Sequence, residues 1–198
     1  MQASIAETLQ SLLPEFTFRQ ATEKDEKSIL DLLAQSTDFG QYSSVRLSEI
    51  AELIHNENHS FLCLINLEFI FKGIKCPQHV NYVFEQELIG IAVLRKDYGR
   101  VIIRPETLAD KIAELFNSTE VDFADDQAFS SRYYVLAENE SLFRFSVSSE
   151  FRKAIKKFNE IEIEIIGNIL IARFKKPFSD ESGSEIVNFM SEINNGYN

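Results

Sequence analysis

The residues best suited to metal or redox chemistry lie close together in this chain. All three histidines and both cysteines (His55, His59, Cys63, Cys76 and His79) fall within residues 55–79, spaced H-x3-H-x3-C-x12-C-x2-H. Zinc takes nitrogen and sulfur ligands in a tetrahedron, often as two close pairs. Cys76-x2-His79 supplies one such pair; His55 and His59 supply a second if one helix carries both. Side-chain parity divides the set. On a strand starting near Ser60, Cys63 shares its face with Phe61, Ile65, Leu67, Phe69 and Phe71, and so reads as a small buried hydrophobe. The histidines then fall at the wet edges of a core strand, and no metal site is expected.

Other chemistries leave less trace. There is no G-x-S-x-G elbow and no cysteine beside a plausible base. The seven glycines are isolated, the closest pair being Gly90 and Gly99, so no backbone cradle for phosphate is encoded and no cofactor is expected. With 31 Asp and Glu in the chain, carboxylate pairs identify no acid and base, and the catalytic residues stay unknown. One electrostatic feature stands out. Residues 144–176 hold eight basic against four acidic side chains in a protein of net charge −11. On a helix, Arg152, Lys153, Lys156 and Lys157 form a continuous wet stripe opposite Phe151 and Ile155, suited to an acidic partner or an anionic lipid surface or to the protein's own acids.

The elements that must position these residues follow from hydrophobic period and turn chemistry. Ile5, Leu9, Leu12 and Leu13 predict a helix ending at Pro14, and FTFRQ predicts a strand. Thr22 with Asp25 predicts a capped helix to about Ala34. Leu47, Ile50, Ala51 and Leu53/Ile54 predict another helix, ending near His55. Residues 60–72, 80–85, 87–95 and 100–104 predict strands, with a turn at Glu85-Gln86-Glu87. Pro105 suits the first position of a helix through Leu108, Ile112, Leu115 and Phe116. SRYYVLA predicts a strand, and Ser148 or Ser149 with Glu150 starts a helix burying Phe151, Ala154, Ile155 and Phe158.

EIEIEIIGNILIARF is the clearest local signal. Its alternation predicts a hairpin around Gly167-Asn168, with Ile166 opposite Ile169, Glu162 opposite Arg173 and Glu160 opposite Lys175. Ile161, Ile163 and Ile165 then meet Phe174, Ala172 and Leu170 on a dry face, with the charges on a wet one. Ile186, Phe189, Met190 and Ile193 predict a closing helix. The mixed order implies an α+β fold, a largely antiparallel sheet packed by amphipathic helices. It reads as one domain over 1–198, with a helical N-terminal segment over 1–58 as an alternative division.

The bulk numbers set the setting. A chain of 198 residues, 44% hydrophobic and 26% charged, can bury a core without metal or disulfide. The net charge of −11 disfavours nucleic acid, two cysteines form no disulfide framework, and FLCLINLEFIF is too short to span a bilayer. No signal peptide is read at the start. The expected location is the cytoplasm, with no membrane span.

Two resemblances add to this reading. FRQATEKDEKSILDLL resembles the opening strand and helix of the GNAT acetyltransferases, and ELIGIAVLRKDYG is similar to a central strand of that family. The family's pyrophosphate-binding motif, Gln/Arg-x-x-Gly-x-Gly/Ala, has no counterpart here, so the likeness implies a degenerate or inactive acyl-CoA-dependent N-acyltransferase and assigns no residue. From RVIIRPE through VDFADDQAF, SRYYVLAENE and SSEFRKAI to the hairpin, residues 100–174 resemble a group of uncharacterised bacterial proteins of unknown function. The reading the sequence favours is a non-catalytic binding or interaction domain whose partner is another protein or a second copy of itself.

Overall fold

A computed structural model of the chain describes residues 4–40, 42–55, 58–72, 80–106 and 119–196. Among these, the elements in order are α1 (Ile5–Leu12), β1 (Thr17–Gln20), α2 (Glu23–Leu33), β2 (Ser44–His55), β3 (Asn58–Lys72), β4 (Val80–Val93), β5 (Arg100–Pro105), β6 (Thr119–Glu120), α3 (Gln127–Ser130), β7 (Tyr133–Ala137), α4 (Glu140–Ser146), α5 (Ser149–Lys156), β8 (Glu162–Ile166), β9 (Ile169–Arg173) and α6 (Asp180–Gly196). The strands form one sheet in the order β1-β2-β3-β4-β9-β8-β5-β7-β6. Every pairing is antiparallel, and the fold is α+β.

Local chemistry explains most of the elements. Ser4 with Glu7 and Thr22 with Asp25 form reciprocal capping boxes on α1 and α2, which satisfy otherwise orphaned backbone donors. Gly167 takes the left-handed conformation (φ 63°) that the β8–β9 turn needs. That hairpin has the expected register, with Ile166 opposite Ile169 and Glu162 opposite Arg173. Its ladder ends there: Glu160 and Lys175 both turn to positive φ and do not pair as the pattern predicts.

Strand alternation sorts the core into two faces. On one, Leu62, Leu64, Leu88, Ala92, Ile163, Ile165, Leu170 and Ala172 join the buried residues of α1, α5 and α6 in the larger cluster. Ile186, Val187, Phe189, Met190 and Ile193 of α6 are fully buried in it. On the other, Cys63, Ile65 and Leu67 of β3 join Ile50, Ile89, Ile91 and Ile171, beneath Ile29, Leu32 and Leu33 of α2 and beneath Phe39. Cys63, Ile65 and Leu67 are fully buried as parity implies, while Phe61 and Phe69 are half-buried and the side chain of Phe71 lies outside the described set.

Three expectations are corrected. Residues 47–54 form a strand, β2, so the N-terminal 58 residues are not a helical segment. A register shift between Leu47 and Glu49 is the cause. The bulge leaves Leu47 opposite Ile65 and Ile50 opposite Cys63, on one face although three residues apart, and so imitates a helical period. Residues 80–93 form one strand, because Glu85, Gln86 and Glu87 all stay in the ladder with β3. The expected wet face of the β8–β9 hairpin is buried, since the chain following α2 covers it. The helix expected after Pro105 lies outside the described residues.

Candidate functional site

The covered face of the hairpin holds a dense charge network. Glu162 and Glu164 come from β8, Arg173 from β9, Glu87 from β4, Arg100 and Arg104 from β5, and Asp38 from the turn after α2. Apart from Arg100, each of these is at least nine-tenths buried. Alternation puts the strand residues there: each lies one residue out of phase with the aliphatic residues of its strand that join the larger core. Arg173 donates to Glu87 Oε2 from Nη2 at 2.6 Å and from Nε at 3.1 Å, and to the Tyr42 hydroxyl at 2.9 Å. Its guanidinium lies 5.1 Å from the Phe39 ring centroid, an added cation–π attraction.

Glu164 binds the turn itself. It accepts hydrogen bonds from the Ser36 hydroxyl, from Thr37 N at 3.0 Å and Asp38 N at 3.4 Å, and from Arg100 Nη2 at 3.1 Å. Arg100 also donates to Gln35 O and to Thr37 Oγ1. Asp38 forms an ion pair with Arg104, whose Nε lies 3.7 Å from Glu162 Oε2; Lys175 Nζ lies 2.8 Å from that same oxygen. Asp38, Glu87, Glu162 and Glu164 thus face Arg100, Arg104, Arg173 and Lys175, four charges of each sign. The arrangement fastens Ser36, Thr37, Asp38 and Tyr42 to the sheet.

Burial dominates the electrostatics. It pushes the Glu87 carboxyl above its ordinary range, although Arg173 pulls the other way. Burial likewise lowers Arg104 and Lys175, with Glu162 opposing in both cases. For Arg173, the charges and hydrogen bonds of Glu87 and Tyr42 outweigh burial and raise it. Each charge is spent on a neighbour. The adjacent cavity, about 170 Å³, is lined mainly by apolar groups such as Leu30, Leu33, Phe39 and Val45, with Ser36 at its edge. The network is built to neutralise itself.

Of the residues singled out by spacing, Cys63 and His59 stand in different surroundings. Cys63 faces the apolar cluster beneath α2, and burial pushes its thiol up. His59 Nδ1 lies 2.5 Å from Glu52 Oε1, and Glu52 also pairs with Arg19. Cys76 and His79 lie outside the described residues. Among the described residues no group of three or more His, Cys, Asp or Glu is placed to hold a metal.

The stripe on α5 is corrected in part. Arg152 is buried, stacked 4.3 Å over the Phe123 ring and paired with Asp125 and Asp126. Lys156 pairs with Asp126 at 2.7 Å and Lys157 with Glu192 at 2.8 Å, while Lys153 is exposed. The acidic run 122–126 folds back onto α5, which the helical period alone does not reveal.

A second feature is a strand edge. The sheet ends in very short strands, β1 and β6, a common protection against unwanted pairing. β4 is different. β9 pairs with it from Gly90 to Val93, and Phe178 N donates to Gln86 O at 2.9 Å. Over Val80–Glu85 no strand pairs with that edge among the described residues. Val83 and Phe84 are exposed there, Phe84 to 71%. The sequence signal missed here is length: β4 outruns β9 by several residues.

No family model, curated protein or solved structure matches this chain. Among the described residues, no helix is long and apolar enough to cross a membrane.

Proposed function

We propose that this chain is a binding domain without catalytic chemistry, engaging another protein or a second copy of itself through the edge of β4. The observation supporting this is the Val80–Glu85 stretch, along whose outer edge no strand pairs among the described residues and where Val83 and Phe84 are exposed. Strand edges of this kind take up extended segments, the backbone supplying affinity and the side chains selectivity. The self-neutralised network beneath the turn after α2 fits the same reading, as a fastening of the fold. The net charge of −11 argues against nucleic acid as the partner. A cytoplasmic setting belongs to the proposal, in keeping with two cysteines that make no disulfide framework.

The test places a photo-crosslinking phenylalanine analogue at position 84 of the full chain, with position 145 as control, since Phe145 is also exposed, at 83%. A discrete adduct from position 84 and none from position 145 is expected. No adduct from position 84, or equal adducts from both, overturns the proposal.

A further inference from the structure

We infer that the β4 edge from Val80 to Glu85 receives an extended peptide in which basic residues alternate with apolar ones, added to the sheet as a further strand. The inference rests on the binding reading above and specifies the partner's chemistry. Six residues of strand span about 20 Å, enough for a short linear segment. The side chains of an added strand alternate between the two faces. On one face they meet Phe84, whose cross-strand neighbour is Glu68; on the other they meet Val83 and Glu85.

Charge selects the sequence of that segment. Glu85 is exposed on the edge, and Asp180 and Glu181 are exposed in the first turn of α6. The bond from Phe178 N to Gln86 O ties the chain just before α6 to the end of the open stretch. The cations on that connection are already engaged: Lys175 with Glu162, and Lys176 with Glu160 and Glu185. Among the described residues, Glu85, Asp180 and Glu181 enter no ion pair, so this border of the edge is acidic. A second copy carries the same net charge of −11, so its approach to an acidic border is opposed by overall repulsion. Lysines or arginines between apolar residues complement both the acids and Phe84.

The probe is a fluorescent peptide alternating Lys and Val, titrated into the full chain, with an alternating Glu and Val peptide as control. The Lys–Val peptide is expected to bind, to slow amide exchange across residues 80–85, and to weaken as salt screens the charges. Phe84→Asp and Glu85→Lys are each expected to weaken binding by about tenfold or more while leaving the unfolding midpoint unchanged. Equal binding of the Glu–Val peptide, no added protection at 80–85, or a dimer by light scattering without peptide each overturns the inference. A crosslinked adduct from position 84 alongside a silent Lys–Val titration removes this inference and leaves the binding reading standing.

Discussion

Replacing Arg173 by methionine tests whether the buried network holds the sheet as described. The side chains of Arg173 and Glu87 are 1% and 4% exposed, so Arg173→Met strands an ionised or newly protonated Glu87 in the interior. Breaking one side of a buried ion pair costs about 3–5 kcal/mol, a large share of the roughly 5–15 kcal/mol that holds a domain folded. Methionine keeps much of the length and packing, so cavity formation adds little. Glu87→Met leaves Arg173 unpaired instead and is expected to cost a similar amount. In the double variant both charges are gone, and what remains is the Tyr42 hydroxyl without its donor, about 1 kcal/mol. The double variant should therefore stand closer to the wild type than either single variant. Urea unfolding followed by circular dichroism measures all four proteins, since the chain has no tryptophan to report by fluorescence. A loss below about 1 kcal/mol for Arg173→Met, judged against that expected cost, or strictly additive losses in the double variant, would refute the reasoning.

Further outcomes follow from single contacts. Because burial raises Glu87, its protonated form suits the fold. Stability from this group is full below the ordinary glutamate range and declines as pH rises through its raised value, so Glu87→Gln should gain on the wild type as pH rises; a constant difference in urea midpoint across pH would contradict this. Asp126 behaves oppositely: burial would raise it, but hydrogen bonds from Lys156, Phe129 N and Arg152 outweigh that and hold it below its ordinary value. The advantage of wild type over Asp126→Asn, read from thermal midpoints, should shrink as pH falls through that lowered value. Gly90→Ala would set a Cβ 2.4 Å from Met190 Sδ; a loss of about 1–3 kcal/mol is expected, with partial recovery in Gly90→Ala/Met190→Ala. Gly167→Ala meets nothing within 4 Å, so any loss reports the positive φ alone, about 1–2 kcal/mol, and Gly167→Asn should lose less in the same melt.

What the sequence discloses is local. The β8–β9 hairpin is legible because alternation, an Asn after a turn glycine, and Glu162 facing Arg173 all agree within a dozen residues. The burial of Glu164 is illegible because its cover comes from Ser36, 128 positions away, and no nearby pattern announces it. Polar alternation in a strand says that two faces differ; it does not say which is wet. β2 misleads for another reason. A bulge adds one residue to the spacing, and two same-face positions three apart look like a helix turn. On α5, spacing finds the stripe of Arg152, Lys153, Lys156 and Lys157 but not the acids at 125 and 126 that fold against it. The edge of β4 was hidden in plain composition, since an unpaired strand and a paired one share the same residues.

The network beneath the turn after α2 also bears on time. Its charges come from the turn after α2, from β4, from β5 and from the β8–β9 hairpin, segments distant in sequence. Charges of this kind gain from one another only after water has left, and water leaves only once all of these segments have docked. Such contacts form late on the folding route, and interactions absent from the transition state act on the rate of unfolding rather than folding. The network is thus a brake on opening: Arg173→Met should shorten the lifetime of the folded chain far more than it delays refolding. Beside the exposed Val83 and Phe84, slow opening limits how often the rest of the sheet is offered to a neighbour.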